Sequence, residues 1–322
     1  MSYDVILVDS KNAVYRHGYT RALLTNSSGK PTGAIFGILS CLIRLHNFHP
    51  KAKFIFCWDG KETFKSWRHT LCDTYKANRA KKPGELPVEV KSILSQIPAI
   101  KKVITLLGFP QYEIENLEAD DLLGILSKTL SKRKDVNRVL IYSMDKDCYQ
   151  LIGDKVGVVR DLDKSAKCEA FTAIDVEKKF GVHPKNWNKY RALVGDVSDG
   201  IKSPFPKVGK VRALKLLAEG LDPSNSKPTS KLEKEYSQFW EQAHTNYRLS
   251  KIVTNPTHSV LTERNILHLK KVVKDISTDK GIKRQNRKDF NNVGARAFVK
   301  FCGDYELNWI LENRHIFYSM GW

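Results

Sequence analysis

DVILVD (4–9), KFIFCWD (53–59) and RVLIYSMD (138–145) decide the fold. Each is a short apolar run, rich in β-branched and aromatic residues, and each ends on an aspartate. Runs of this length and composition are strands buried on both faces. Between them lie GAIFGILSCLIRLHNF (33–48), AIKKVITLLG (99–108) and EADDLLGILSKTLSK (118–132), whose apolar residues recur at helical spacing. Strand–helix alternation predicts parallel βαβ units. The expected fold class is therefore α/β, a central, mostly parallel sheet with helices on both faces.

The chain has 322 residues and is 41% hydrophobic, enough for a sizeable core, so global disorder is excluded. Lys and Arg number 54 against 35 Asp and Glu, a formal charge of +19. An excess of that size draws a protein to polyanions, and nucleic acid is the expected one. The six cysteines, Cys41, Cys57, Cys72, Cys148, Cys168 and Cys302, form no CxxC pair and fall at irregular gaps. They read as reduced thiols, not as a zinc site or a disulfide framework. The opening MSYDVILVD lacks a basic n-region and a cleavage site, and no apolar run is long enough to cross a bilayer. A soluble, cytoplasmic protein without membrane contact is expected.

Three regions follow from the pattern. Residues 1–172 form the α/β core, interrupted at about 60–98, where basic and aromatic residues mix with turn formers. An insertion this long in a compact domain is usually functional. Residues 173–220 turn helical. Residues 221–322 form a helical C-terminal region that opens on GLDPSNSKPTSK (220–231), read as an exposed linker or loop. The basic stretch KGIKRQNRK (280–288) reads as a solvated face.

The chemistry lies in where the acids fall. Asp9 and Asp59 close two strands, and Asp145 and Asp147 follow a third. Ligands of open parallel sheets bind beyond the carboxyl ends of the strands, so these acids meet at one edge. Glu118, Asp120 and Asp121 open a helix, where the macrodipole tolerates negative charge. Asp196 and Asp199, three apart, share a face if their segment is helical. Taken singly, each is compatible with an ordinary role, such as a first-turn acid or a loop DxD. Together, nine carboxylates at one edge repel and raise each other's pKa values. Divalent cations remove that conflict, and all-oxygen ligation favours Mg2+ or Mn2+ over zinc. Two ions about 3.5–4 Å apart activate a water and stabilise the leaving oxygen of a phosphodiester.

LVDSKNAVYR (7–16), GKPTGAIFG (29–37), CWDG (57–60), WRHTLCDTYKANR (67–79), LEADDLLG (117–124), SMDKDCYQL (143–151) and ALVGDVSDGI (192–201) occur in that order. In combination the sequence resembles the 5′-nuclease superfamily of flap endonucleases, polymerase I 5′-nuclease domains and phage 5′→3′ exonucleases and RNase H, from about 4 to 217. The resemblance implies that Asp9, Asp59, Glu118, Asp120 and Asp121 surround a first metal ion and Asp145, Asp147, Asp196 and Asp199 a second. It implies a helical arch over about 60–98, where Arg68, Tyr75, Lys81 and Lys82 contact a single strand. Lys76, Arg79 and Arg16 would then act on the scissile phosphate. GIKSPFPKVGKVRALKLL (200–217) resembles the helix-hairpin-helix core of a helix-3-turn-helix element that grips a duplex, with Lys207, Gly209, Lys210 and Arg212 as its contacts. The family usually has Gly where Lys207 stands, which bears on a K+ ion held by that hairpin.

The expected protein is thus a Mg2+-dependent 5′→3′ exonuclease and flap endonuclease, monomeric, with Mn2+ able to substitute. Its partners would be DNA or RNA/DNA with a 5′ end, flap or nick, and replication proteins, in primer removal or flap processing. A PIN-like ribonuclease and a non-catalytic binder of branched DNA are the rivals.

Overall fold

The computed structural model describes residues 2–77, 86–160, 168–277 and 294–320. Five strands, β1 (Val5–Asp9), β2 (Lys53–Trp58), β3 (Gln111–Glu113), β4 (Val139–Tyr142) and β5 (Val156–Val159), form one sheet in the order β3-β2-β1-β4-β5. Every pairing is parallel. β1 lies in the middle, with Val5 beside both Lys53 and Val139. All five of its residues are buried, which is why VILVD shows no polar alternation.

Side chains alternate across the sheet and build two cores. Ile6 and Val8 face one side. There they meet α1 (Ser10–Tyr19), α2 (Gly33–Phe48), α4 (Val88–Ser95) and α5 (Ile97–Leu106). Val5 and Leu7 face the other side. Their core takes in α6 (Ala119–Ser131), α7 (Ala173–Phe180), α8 (Trp187–Val194), α9 (Lys210–Ala218), α11 (Trp240–Ser250) and α12 (Glu263–Ser277). The short helices α3 (Trp67–Leu71) and α10 (Lys231–Glu235) edge that second layer. The last helices, α13 (Ala295–Asp304), α14 (Asn308–Glu312) and α15 (Arg314–Ser319), return to the first face, where Phe298, Phe301, Ile310 and Phe317 are buried. The segment beyond 220 therefore divides between both faces of the sheet and completes both cores.

The interruption at 60–98 is narrower than its composition implies. Ser66, Arg68 and Tyr75 are buried at its start. At its end, Ile93 is fully buried against Gly18, and Gln96 Oε1 accepts from the N–H groups of Ala34 and Ile35 at 2.8 and 3.1 Å. Both flanks belong to the core, and 78–85, the middle of the expected arch, lies outside the described residues. So does the basic stretch 280–288.

The Ser- and Pro-rich stretch 220–231 is also more ordered than a linker. Glu233 Oε1 accepts from Asp222 N and Asn225 Nδ2, and Oε2 from the N–H groups of Thr229 and Ser230 and the Thr229 hydroxyl, all at 2.7–3.1 Å. Ser230 completes a capping box for α10. Trp240 Nε1 donates to Asn225 O at 2.9 Å. Polar composition marked this loop as solvated, but its donors are spent on one buried carboxylate.

Candidate active site

The acids sit where strands hand over to helices. Asp9 caps α1, and its Oδ1 accepts from Asn12 N at 3.4 Å. Glu118 is the residue before α6. Asp145 caps the 3-10 turn Lys146–Leu151, accepting from Asp147 N at 2.8 Å. Asp196 caps the turn Val197–Asp199 through Ser198 N at 2.9 Å. Asp9, Asp145 and Asp196 thus each accept from an N–H group at a helix or turn start that has no partner within the turn, which offsets part of the charge. Gly60 lets β2 end here, because a Cβ on it would stand 1.7 Å from Ile114 O.

Asp9, Asp59, Glu118, Asp120 and Asp145 line one cleft of ≈ 150 Å³, together with Lys11, Asn12, Tyr15 and Lys76. Asp147, Asp196 and Asp199 form an adjacent set whose carboxylate oxygens lie within 4.8 Å of one another. The two sets join at Asp145, which is bonded to the backbone of Asp147. Lys76 also spans them. Its ammonium is 2.8 Å from Glu118 Oε2, and its N–H donates to Asp199 O at 2.9 Å.

The electrostatics record the crowding. Burial, opposed by the Ser143 hydrogen bond and reinforced by Asp59 and Asp145, pushes Asp9 up to about 7. Burial and the Asp145 charge also push Asp147 up to about 7, against the pull of Arg191. Burial, then Asp145 and Asp9, raises Asp120 well above the carboxylate range. For Glu118, burial is outweighed by Arg68 and Lys76, and its pKa falls. An oxygen-only set of strained carboxylates fits a hard divalent cation. The oxygens available to one are those of Asp9, Asp59, Asp120 and Asp145 in the first set, with Asp147, Asp196 and Asp199 in the second.

Three sequence-based assignments are corrected. Asp121 is fully buried. Arg68 meets both its oxygens at 2.9 Å, Trp67 Nε1 donates to Oδ2 and Val253 N to Oδ1. No oxygen is left for a metal. Successive helix residues point about 100° apart, so Asp120 enters the cleft and Asp121 the core. Arg68, 2% exposed, is that aspartate's counter-ion and also donates to Leu249 O and Lys251 O, so it contacts no strand. Tyr75, 4% exposed, has its hydroxyl 3.3 Å from Glu118 and 3.4 Å from Asp199, and no free ring face for a base.

Arg16 is exposed on α1. Lys207 is exposed and adopts φ 58°, the left-handed geometry for which glycine is favoured. Gly209 caps α9 and Lys210 is that helix's first residue. Arg212 Nη2 donates to the Tyr236 hydroxyl at 3.2 Å. Arg79, Lys81 and Lys82 lie outside the described residues.

Two cations escaped the sequence reading. Lys11 is 3.2 Å from Asp59 Oδ2. Arg191 pairs with both Asp147, at 2.9 Å, and Asp196. The signal was available for Arg191: in YRALVGD it stands one helical turn before the Gly that ends α8 and turns the chain toward Asp196.

Residues 4–181 match the family described as 5′-3′ exonuclease, N-terminal resolvase-like domain. The chain belongs to the 5′-3′ exonuclease family of nucleases. It is 32% identical over 251 residues to a 5′-3′ exonuclease of Aquifex aeolicus, covering 77% of this chain and 81% of that protein. It is 36% identical over 216 residues to the thermostable DNA polymerase I of Thermus thermophilus, covering 67% of this chain but 24% of that protein. The chain thus spans about a quarter of the length of such polymerases. The T5 5′-exonuclease structure with bound zinc superposes with a TM-score of 0.66 at 20% identity, over 85% of this chain and 99% of that one. The catalytic core of Rad2 in complex with DNA substrate gives 0.52 at 14% identity, over 99% and 93%. At those identities the likeness is one of fold.

Proposed function

We propose that this chain is a Mg2+-dependent, structure-specific 5′-nuclease. It hydrolyses phosphodiester bonds near 5′ ends, nicks or flap junctions of DNA or RNA/DNA, as exonuclease and flap endonuclease, and acts as a monomer in primer removal or flap processing during replication. The carrying observation is the pair of carboxylate sets, eight acids in all, at the carboxyl edge of a parallel sheet in a chain of net charge +19. Family membership and the activity of its relatives support the same reading, as do neighbouring folds solved with divalent metal and with DNA substrate.

Asp9, Asp59, Asp120 and Asp145 would hold one ion, with Glu118 beside them, and Asp147, Asp196 and Asp199 a second. Bound Mg2+ supplies Lewis acidity and an activated water. The protein's own groups do the rest. Lys76, its pKa raised by Glu118 against the effect of burial, stays charged and faces the phosphate between the two sets. Arg16, exposed on α1, adds positive charge toward the scissile phosphate, and the family resemblance gives Arg79 the same role. Ser143 orients Asp9 by donating to its Oδ2 at 2.7 Å. Lys207, Gly209 and Lys210 present an ammonium, a backbone amide and a helix start to the duplex phosphates. An ammonium in the glycine's place puts a fixed charge where the resemblance implies K+, so we assign that phosphate contact to Lys207.

The test is cleavage of a 5′-flap duplex. Cutting should require Mg2+, be supported by Mn2+, and fall by at least a hundredfold in Asp145→Asn. Equal cutting in chelator would refute the reading.

A further inference from the structure

A second cleft, of ≈ 480 Å³, backs onto the acid cluster. The two share a wall. Trp67 lines the cleft while its Nε1 donates to Asp121, and the paired Arg68 lies 3.6 Å from Glu118 Oε2. Asn116, two residues before Glu118, lines it as well. Val260, Leu261 and Arg248 line it too.

Three observations define what would fit. The lining holds two cations, Lys65 and Arg248, and no acid. Trp67, Leu71, Val260 and Leu261 give it an apolar and aromatic lining. Asn116 Oδ1 is a buried acceptor without a donor among the described residues. A buried unsatisfied amide oxygen costs stability unless something pairs with it. An unpaired nucleotide meets all three conditions at once, with a flat ring for the apolar wall, an exocyclic amine for Asn116 and a phosphate for Arg248.

We infer that this cleft binds one nucleotide of the single-stranded 5′ tail of the substrate, on the far side of the Arg68–Asp121 wall from the acids. The inference rests on the nuclease reading and specifies where the tail goes. Asn116 has φ 60°, so Asn116→Gly removes the amide while keeping a backbone that glycine adopts freely. Arg248 is exposed on α11, so Arg248→Ala leaves the core intact.

The experiment uses duplexes with a 5′ tail carrying 2-aminopurine at successive positions, bound by the full chain with Ca2+ replacing Mg2+. One tail position should be quenched by stacking in the cleft, and Asn116→Gly should restore its fluorescence. Arg248→Ala should weaken tailed-duplex binding about tenfold and lower the salt slope by about 1, without weakening an untailed duplex. Absence of tail cutting by the unaltered protein in Mg2+ would remove the nuclease reading and this inference with it. Intact cutting, with no position quenched and both variants binding tails like the parent, would overturn the inference alone.

Discussion

Arg68 and Asp121 are charged residues that do the work of a core. Their bidentate pair, 2.9 Å on each arm, is closed off by Trp67 above and by Val253 N beside it. Removing one partner leaves the other charge buried. Arg68→Ala should therefore lower unfolding free energy by about 3–5 kcal/mol in urea titrations. Nothing local marks this pair in the sequence: WRHTL is too short for periodicity, and the partner lies 53 residues away. Asp9 and Asp147 show the opposite economy. Their folded pKa values are pushed up to about 7, above the ordinary 3.8. Such a group gives its full stability below the unfolded value and loses it as pH rises through the folded one. In chelator, thermal stability should fall between about pH 4 and pH 7, and added Mg2+ should recover it at the upper end. A melting temperature independent of metal at neutral pH would contradict this.

At the scale of elements, the loop over 222–230 depends on a single carboxylate. Glu233 is held near 2: burial would raise it, but the N–H groups of Ser230 and Thr229 and the Thr229 hydroxyl prevail. Glu233→Gln keeps the shape but loses the charge and one acceptor, an expected loss of about 1–3 kcal/mol. Trypsin should then cut faster at Lys231, which opens α10 and is followed by leucine; equal rates for parent and variant would contradict this. The helices were legible because their apolar spacing runs over many residues, and β1, β2 and β4 because each is a continuous apolar run followed by an aspartate. β3, QYE, and β5, VGVV, were not, since the first is mostly polar and Gly157 interrupts the second. The buried flanks of 60–98 went unread for a similar reason. Ser66, Arg68 and Gln96 look solvent-facing by type, yet their hydrogen bonds are made inside.

For the whole molecule, the sheet class and the edge bearing the acids follow from three aspartate-terminated strands, because a parallel register aligns their carboxyl ends whatever the helices do. Asp9, Asp59, Asp145 and Asp147 reach that edge on this logic, and Glu118, Asp120, Asp196 and Asp199 reach it from helix and turn starts. Asp121 did not, since adjacency in sequence separates directions on a helix. Arg191 and Lys11 were passed over because a search for acids does not ask what neutralises them. The division of residues beyond 220 between the two faces was not legible at all. Amphipathic helices declare that one side is covered, not by which surface.

That division sets an order of events during synthesis. β1 leaves the ribosome before the rest of its sheet, yet the side of it bearing Ile6 and Val8 is finished by Phe298, Phe301, Ile310 and Phe317, made nearly three hundred residues later. Until those helices emerge, the nascent chain carries an uncapped greasy surface, the kind that chaperones hold and that self-associates when they are absent.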